Sequence, residues 1–283
     1  MEEVIAMCLK YQKHLKMNKF NRNIIILSIA LSFLFSEKSE NKAMSQKLLE
    51  KEDVKDISYH YSGNWPTYNN KASILSISNT NKLDCPNGIG CECLINEDCI
   101  NSNCVKHLKG DRYCAIQNGD TFPHFKAIDQ FEDIVDIYDF ANDEGKYILV
   151  EMGAGWCSPC HSLASWFAYN EEEIKTKPFW RDRYNKVKEL VENGDIYFIT
   201  ILYEDEFRDN ATFDTAYEWY DTYPDDAIPI LVDEDKLLHK IIRPTGIPAV
   251  TLLSPKMEII TLSSRGFNHA FDKLLDILEE NND

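Results

Sequence analysis

Apolar and polar positions alternate in two different periods along the C-terminal two-thirds of this chain. Tyr147-Ile148-Leu149-Val150-Glu151-Met152 is a short, nearly continuous apolar run, as expected of a buried strand. Asp195 to Tyr203 is a second, rich in β-branched and aromatic residues. Val250 to Leu253 and Met257 to Leu262 read as further strands. Between and after them the period lengthens. Lys177 to Glu192 and Ala211 to Tyr220 are predicted helices, as is His269 to Glu279, which carries Phe271, Leu274, Leu275 and Leu278 on one face. Strands alternating with helices over residues 120–283 predict an α/β sandwich, a central mixed β-sheet flanked by helices.

The pattern changes upstream. Ile24 to Phe35 is a 12-residue apolar run preceded by Lys19 and Arg22. It has the length of a signal-peptide core and falls short of the about 20 residues a membrane-spanning helix needs. A secretory signal starting at Met17 is the expectation, with residues 1–16 an upstream extension that contains Cys8. An uncleaved membrane anchor is the alternative, since no small-x-small cleavage pattern follows. Residues 37–84 are polar and read as linker, apart from an alternating stretch, Ala72 to Ser78. Six of the nine cysteines fall in 85–117: Cys85, Cys91, Cys93, Cys99, Cys104 and Cys114. That segment is too poor in apolar residues to build a core. Three structural disulfides in an oxidising compartment are the favoured reading, with zinc the rival; no paired CxxC spacing supports the metal, and sequence does not choose the pairing. The organisation is thus 1–36 extension and signal, 37–84 linker, 85–117 cysteine-rich module and 118–283 α/β domain.

The remaining chemistry concentrates at Trp156-Cys157-Ser158-Pro159-Cys160, directly after the first apolar strand. Two thiols at this spacing, where a strand turns into a helix, can close and reopen a disulfide; the first meets the positive end of the helix dipole and ionises readily. Zinc ribbons also use CxxC, but no second pair exists and His161 is not spaced to close a tetrahedral site. Cys157 is the expected nucleophile, the more exposed and more acidic thiol, and Cys160 the resolving one. Glu151 is a carboxylate inside an apolar run, costly there unless it has a function or partner. It is a candidate acceptor of the Cys160 proton. Trp156 is expected partly exposed beside Cys157, shaping a docking surface.

These residues resemble the thioredoxin superfamily. Gly153-Ala154-Gly155-Trp156-Cys157-Ser158-Pro159-Cys160 stands where that family carries WCxxC, Gly246-Ile247-Pro248-Ala249-Val250 resembles its cis-proline loop, and Glu151 occupies the place of its buried acid. The spacing between Cys160 and Pro248, with Pro229 to Lys236 and Asn118 to Phe125, resembles the TlpA/ResA-like branch. The resemblance covers residues 118–283 and none of the preceding chain. It implies a thioredoxin-like fold, a cis Pro248, and an Ile247 backbone that pairs with an extended client segment alongside Trp156. It further implies protein disulfides as substrates, a membrane thiol reductase as electron donor, and a periplasmic or secreted location. No cofactor or metal is called for. Peroxiredoxins share the architecture but carry Thr or Ser three residues before their reactive Cys, where this chain has Ala154. The main alternative is a binding protein, with the cysteine-rich module as recognition element and the α/β domain as scaffold or redox switch. The formal net charge of −17 disfavours nucleic acid.

Overall fold

In the computed structural model the described residues are 60–67, 82–107 and 110–280. The chain divides into Met1–Ser58 and Tyr59–Asp283, and all described residues lie in the second unit. The expected signal, Cys8 and the stretch Ala72 to Ser78 fall outside the described residues.

Strands and helices run in the order β1 (Cys104–Lys106), β2 (Arg112–Cys114), β3 (Lys126–Ile128), β4 (Ile134–Asp136), β5 (Ile148–Gly153), α1 (Ser158–Tyr169), α2 (Asn185–Glu192), β6 (Tyr197–Leu202), α3 (Phe213–Thr222), β7 (Ile230–Val232), α4 (Leu237–Ile242), β8 (Ala249–Leu253), β9 (Ile259–Thr261) and α5 (Asn268–Glu280). Five strands form the central sheet in the order β7-β6-β5-β8-β9. β6 is parallel to β5 and β7, whereas β8 is antiparallel to β5 and β9, so the sheet is mixed. β5 is central and every one of its residues is buried, which is why it reads as a continuous apolar run rather than an alternating one.

Side chains still alternate between its faces. Ile148, Val150 and Met152 join one apolar cluster with Trp219 of α3 and Leu238 and Ile241 of α4. Leu149 joins the other, with Leu163 and Trp166 of α1, Val187 of α2 and Phe271 and Leu274 of α5. The two clusters are the two halves of the sandwich.

Lys177 to Glu192 is not one helix. Only Asn185–Glu192 is α-helical, after short 3₁₀ turns at Glu173–Thr176 and Asp182–Tyr184. Pro178 disfavours helical backbone at Lys177, which is extended at φ −77°, ψ 144°. The following Trp180 packs edge-on against Trp166 at 4.9 Å.

Part of the segment read as linker belongs to the core. Tyr61 and Trp65 are buried, the indole Nε1–H donates to Asp129 at 2.7 Å, and the Tyr61 hydroxyl donates to Asp139. The cysteine-rich module is also docked. Its pairs are Cys85–Cys91, Cys93–Cys104 and Cys99–Cys114. Leu83 and Ile89 pack onto the sheet's first cluster. Arg243, just past α4, lies 3.7 Å over the Tyr113 ring and 3.3 Å from Asp111.

Trp65→Phe keeps the aromatic bulk and removes the indole donor. Asp129 is fully buried and retains only the Phe131 and Asp133 backbone donors, both on its other carboxylate oxygen. An orphaned buried acceptor costs about 1–3 kcal/mol. Urea unfolding of Trp65→Phe is expected to show a midpoint lowered accordingly; an unchanged midpoint would show that this contact carries no stability.

Candidate active site

The parallel β5–β6 pairing and the antiparallel β5–β8 pairing bring three distant stretches to one end of the sheet. Met152 pairs with Ala249, so Pro248 precedes β8 at the end where β5 turns into α1. The Ile247–Pro248 peptide is cis. Pro248 is buried and Ile247 half-buried.

The turn itself is Ala154-Gly155-Trp156-Cys157. Gly155 N–H donates to the Glu204 carbonyl at 2.8 Å. A Cβ at Gly155 would stand 2.7 Å from backbone atoms of Asp205 and Glu206, so only glycine lets the two loops meet. Cys157 is the N-cap of α1, with extended backbone, and Pro159 stands in the first turn, where a missing N–H costs nothing. Cys157 and Cys160 are disulfide-bonded with Cα atoms 5.2 Å apart. The Cys157 Sγ accepts the Cys160 backbone N–H at 3.2 Å. A thiolate there gains both that donor and the helix dipole.

Exposure does not separate the two sulfurs, contrary to expectation. Cys157 is 1% exposed and Cys160 fully buried. The asymmetry lies in position: Cys157 caps the helix end, while Cys160 is the third residue inside it.

Glu151 is 2% exposed and pairs in register with Thr200 on β6 and Val250 on β8. Its Oε2 accepts the Thr200 hydroxyl at 3.0 Å, and its Oε1 has no hydrogen-bond partner. Burial pushes the carboxyl up to about 7, against a smaller downward pull from Thr200. The orphan oxygen and the Cys160 sulfur each lie 3.6 Å from the point a Gly153 Cβ would occupy. Acid, thiol sulfur and Leu202 Cδ2 (3.5 Å) thus all border the space beside Gly153. Glu151 also lines a cavity of about 20 Å³, room for one water.

Six further residues, none of them singled out in the sequence as site residues, complete the surroundings. The Trp156 indole is half-buried and donates to Glu204 at 2.7 Å, and Arg208 caps its face at 3.8 Å. Lys236 binds the other Glu204 oxygen at 2.7 Å. Burial works to raise the Glu204 carboxyl, but Lys236 and Trp156 outweigh it and hold it below the ordinary value. His161, set aside as a metal ligand, contacts the Gly155 carbonyl through Nε2 at 2.6 Å and the Tyr223 hydroxyl through Nδ1 at 3.0 Å. A carbonyl only accepts, so Nε2 carries a proton, and in the neutral imidazole Tyr223 donates to Nδ1. The imidazole stacks on Trp219 at 4.6 Å and ties the turn to α3.

The sheet order, the dithiol capping the helix after the central strand and the cis-proline before β8 decide the architecture. The fold is thioredoxin-like. No family model matches the sequence, and no curated protein matches it. Solved structures do align. The thioredoxin domain of a thiol-disulfide oxidoreductase from Bacteroides vulgatus does so at 16% identity and a TM-score of 0.39, over 58% of this chain and 99% of that one. A thiol:disulfide interchange protein from Bacteroides sp. gives 15% and 0.39, over 58% and 91%. The exposed lipoprotein thioredoxin Etrx1 of Streptococcus pneumoniae gives 22% and 0.37, over 56% and 98%.

Among the described residues the candidate metal cluster is Cys93, Cys99 and Cys114, whose sulfurs lie within 4.8 Å of one another. All three are bonded in disulfides, Cys93 to Cys104 and Cys99 to Cys114, and the two bridges lie side by side.

The raised Glu151 carboxyl has a sign that can be measured. The native state holds this proton up to about pH 7, whereas the unfolded chain releases it near 4.5. Stability attributable to Glu151 is therefore present below pH 4.5 and lost as pH rises through 7, on the order of 3 kcal/mol in all at roughly 1.4 kcal/mol per unit. Glu151→Gln removes that loss. Its unfolding free energy is expected to gain on wild type as pH rises from 5 to 8; parallel curves would mean that Glu151 titrates normally.

Proposed function

We propose that this protein is an exported thiol-disulfide oxidoreductase that exchanges disulfides with protein clients through Cys157 and Cys160, in the reducing direction. One observation carries the reading: a dithiol capping the helix after the central strand has behind it a buried, nearly neutral carboxyl with one unpartnered oxygen. In the reduced protein the Cys157 thiolate attacks a client disulfide. A bond forms between Cys157 and one client sulfur, and the other client sulfur leaves as thiolate and takes a proton from water. Cys160 then gives its proton to Glu151 and attacks Cys157. The Cys157–Cys160 disulfide forms, the second client thiolate leaves, and two electrons have passed to the client. Glu151, its carboxyl pushed up to about 7, is partly ionised near neutral pH, and its carboxylate form takes that proton. Trp156 and the Ile247–Pro248 loop flank the dithiol and supply the client-facing surface, the Ile247 backbone pairing with an extended segment.

Three disulfides in the module are compatible with an oxidising compartment, as is the apolar N-terminal run. A periplasmic or secreted location follows, with an uncleaved signal as anchor the alternative. No helix among the described residues is long and apolar enough to cross a membrane. In such a compartment the oxidised dithiol needs an electron donor, for which a membrane thiol reductase is the fitting class. The second reading, a binding protein on a thioredoxin-like scaffold, draws on the docked cysteine-rich module.

Trapping separates the two. Cys160→Ser is expected to accumulate mixed disulfides with client proteins on non-reducing gels, and Cys157→Ser is not. The reverse pattern would reassign the nucleophile. No adduct with either variant, together with no reduction of insulin by the wild type, would favour the scaffold reading.

For the role of Glu151, stopped-flow resolution of a preformed Cys157 mixed disulfide is the direct assay. Glu151→Gln is expected to slow resolution about 10²-fold or more, within the usual range for loss of a positioned base, and to change its pH dependence between pH 6 and 9. An unchanged profile would make the carboxyl a bystander.

A further inference from the structure

The proposed reaction sets a proton down inside the fold. When Cys160 attacks Cys157 its S–H bond breaks, the electron pair stays on sulfur to make the S–S bond, and the proton passes to Glu151. That carboxyl is 2% exposed, with a strand on either side. Each turnover must carry the proton from there to bulk water, and each re-reduction must bring one back. The dithiol and Glu151 alone do not complete that path.

The cavity beside Glu151 extends outward. Four of its lining residues carry side-chain oxygens, Glu151, Thr200, Tyr223 and Asp225; the others are aliphatic or aromatic. At about 20 Å³ it has room for one water, and a buried water is held where it finds two to four polar partners. The Thr200 hydroxyl already donates to Glu151 Oε2, and the Tyr223 hydroxyl to Nδ1 of the neutral His161 ring. Each of these hydroxyls therefore offers a water only a lone pair. Two carboxyl groups remain that can exchange a proton with it. Glu151 is buried at the inner end, and Asp225 is half-buried at the outer end.

Asp225 stands in the loop between α3 and β7. One of its oxygens accepts the Ala227 backbone N–H at 2.9 Å, and the other accepts no hydrogen bond among the described residues. The loop is held from beneath by the buried Gln130 side chain, which donates to the Ile228 carbonyl at 3.1 Å and accepts the Ile230 N–H at 2.8 Å. Both isoleucines line the cavity, so the same clamp sets the place of Asp225 against its wall. The charged groups facing Asp225 are Lys188 and Glu192 of α2 and the adjacent Asp226. Lys188 is itself buried, its ammonium donating to the Trp166 and Phe167 carbonyls of α1. Facing Glu151 are Thr200 of β6 and Cys160 of α1. Burial raises the Asp225 carboxyl against the pull of the Ala227 N–H and of Lys188. That narrows its gap from Glu151, and a narrow gap favours proton transfer in both directions.

We propose that Asp225, through a single water in this cavity, relays protons between Glu151 and bulk solvent. The Glu151 O–H bond breaks, the water takes that proton and gives one of its own to the Asp225 carboxylate, and Asp225 releases it outside. No electrons move along the route, and re-reduction of the dithiol runs it backwards. The inference rests on the oxidoreductase reading for the source of the proton, not for the route.

Rapid-mixing infrared spectroscopy on the intact, oxidised protein tests the route without a client. A jump from pH 5.5 to 8.5 crosses the Glu151 value of about 7 and strips its proton. The carboxyl band that Glu151→Gln removes identifies the group. Asp225→Asn keeps an oxygen for the Ala227 N–H and removes the acid; it is expected to slow the decay of that band about 10²-fold. Asp225→Ala is expected to slow it as much, and added formate, a small diffusible base, to restore most of the rate. A loop that had merely lost its shape would not respond to formate.

Equal decay in wild type and Asp225→Asn would overturn the proposal. So would slowing in Asp225→Ala that formate does not relieve, or slowing by Tyr223→Phe with none by Asp225→Asn, which would route the proton through His161. If Asp225→Asn slows proton release and formate rescues Asp225→Ala, yet the wild type does not reduce insulin, the catalytic reading fails and the relay stands. Insulin reduction together with equal release rates is the converse.

Discussion

The site depends on one costly placement, a carboxyl at the middle of the central strand. Glu151 has strands on both sides and 2% exposure, and a single neutral hydroxyl satisfies one of its oxygens. An ionised carboxylate in that position would pay several kcal/mol without a cation to offset it. The fold accepts the residue because it can hold a proton near neutrality. In the proposed mechanism, the same burial that makes Glu151 a liability to stability makes it a base of suitable strength for the Cys160 thiol, whose sulfur lies 3.6 Å from the Gly153 Cβ position. Stability and chemistry are here two readings of one desolvation cost.

Around that residue the architecture supplies positions more than contacts. Parallel pairing of β5 with β6 brings Thr200 to Glu151 and Glu204 to Trp156; antiparallel pairing of β5 with β8 brings the cis Pro248 to the same sheet end. The turn between strand and helix is then fixed from three directions. Glu204 holds Gly155 by its carbonyl and Trp156 by its carboxylate, and Arg208 covers the indole face. His161 reaches back from the helix to the Gly155 carbonyl.

What could be read from the sequence follows from how far apart in the chain the partners lie. The CxxC, the acid within an apolar run and the Gly-Ile-Pro before a strand are local patterns, and they lead to the right sheet end. Thr200, Glu204, Arg208 and Tyr223 meet the site across dozens of residues, and nothing local distinguishes Thr200 from other strand residues or the rest from other polar side chains. His161 stands in plain view beside the CxxC, where its residue type suggests a metal ligand, whereas its partners are a carbonyl and a tyrosine hydroxyl. Lys177 to Glu192 has helical spacing, yet Pro178 and the packing of Trp180 override the period. Tyr61 and Trp65 sit in a polar stretch, and their aromatic rings were the only hint that part of it folds onto the core. The even burial of Cys157 and Cys160 is a tertiary property that the order of residues in a helix does not reveal.

The central claim is that the Cys157–Cys160 pair exchanges electrons in the reducing direction. Its equilibrium reduction potential, measured against glutathione or dithiothreitol buffers on the intact protein, tests that most directly. The account predicts a value near the roughly −270 mV typical of thioredoxin. A value near about −120 mV would make the pair a strong oxidant and contradict the assigned direction.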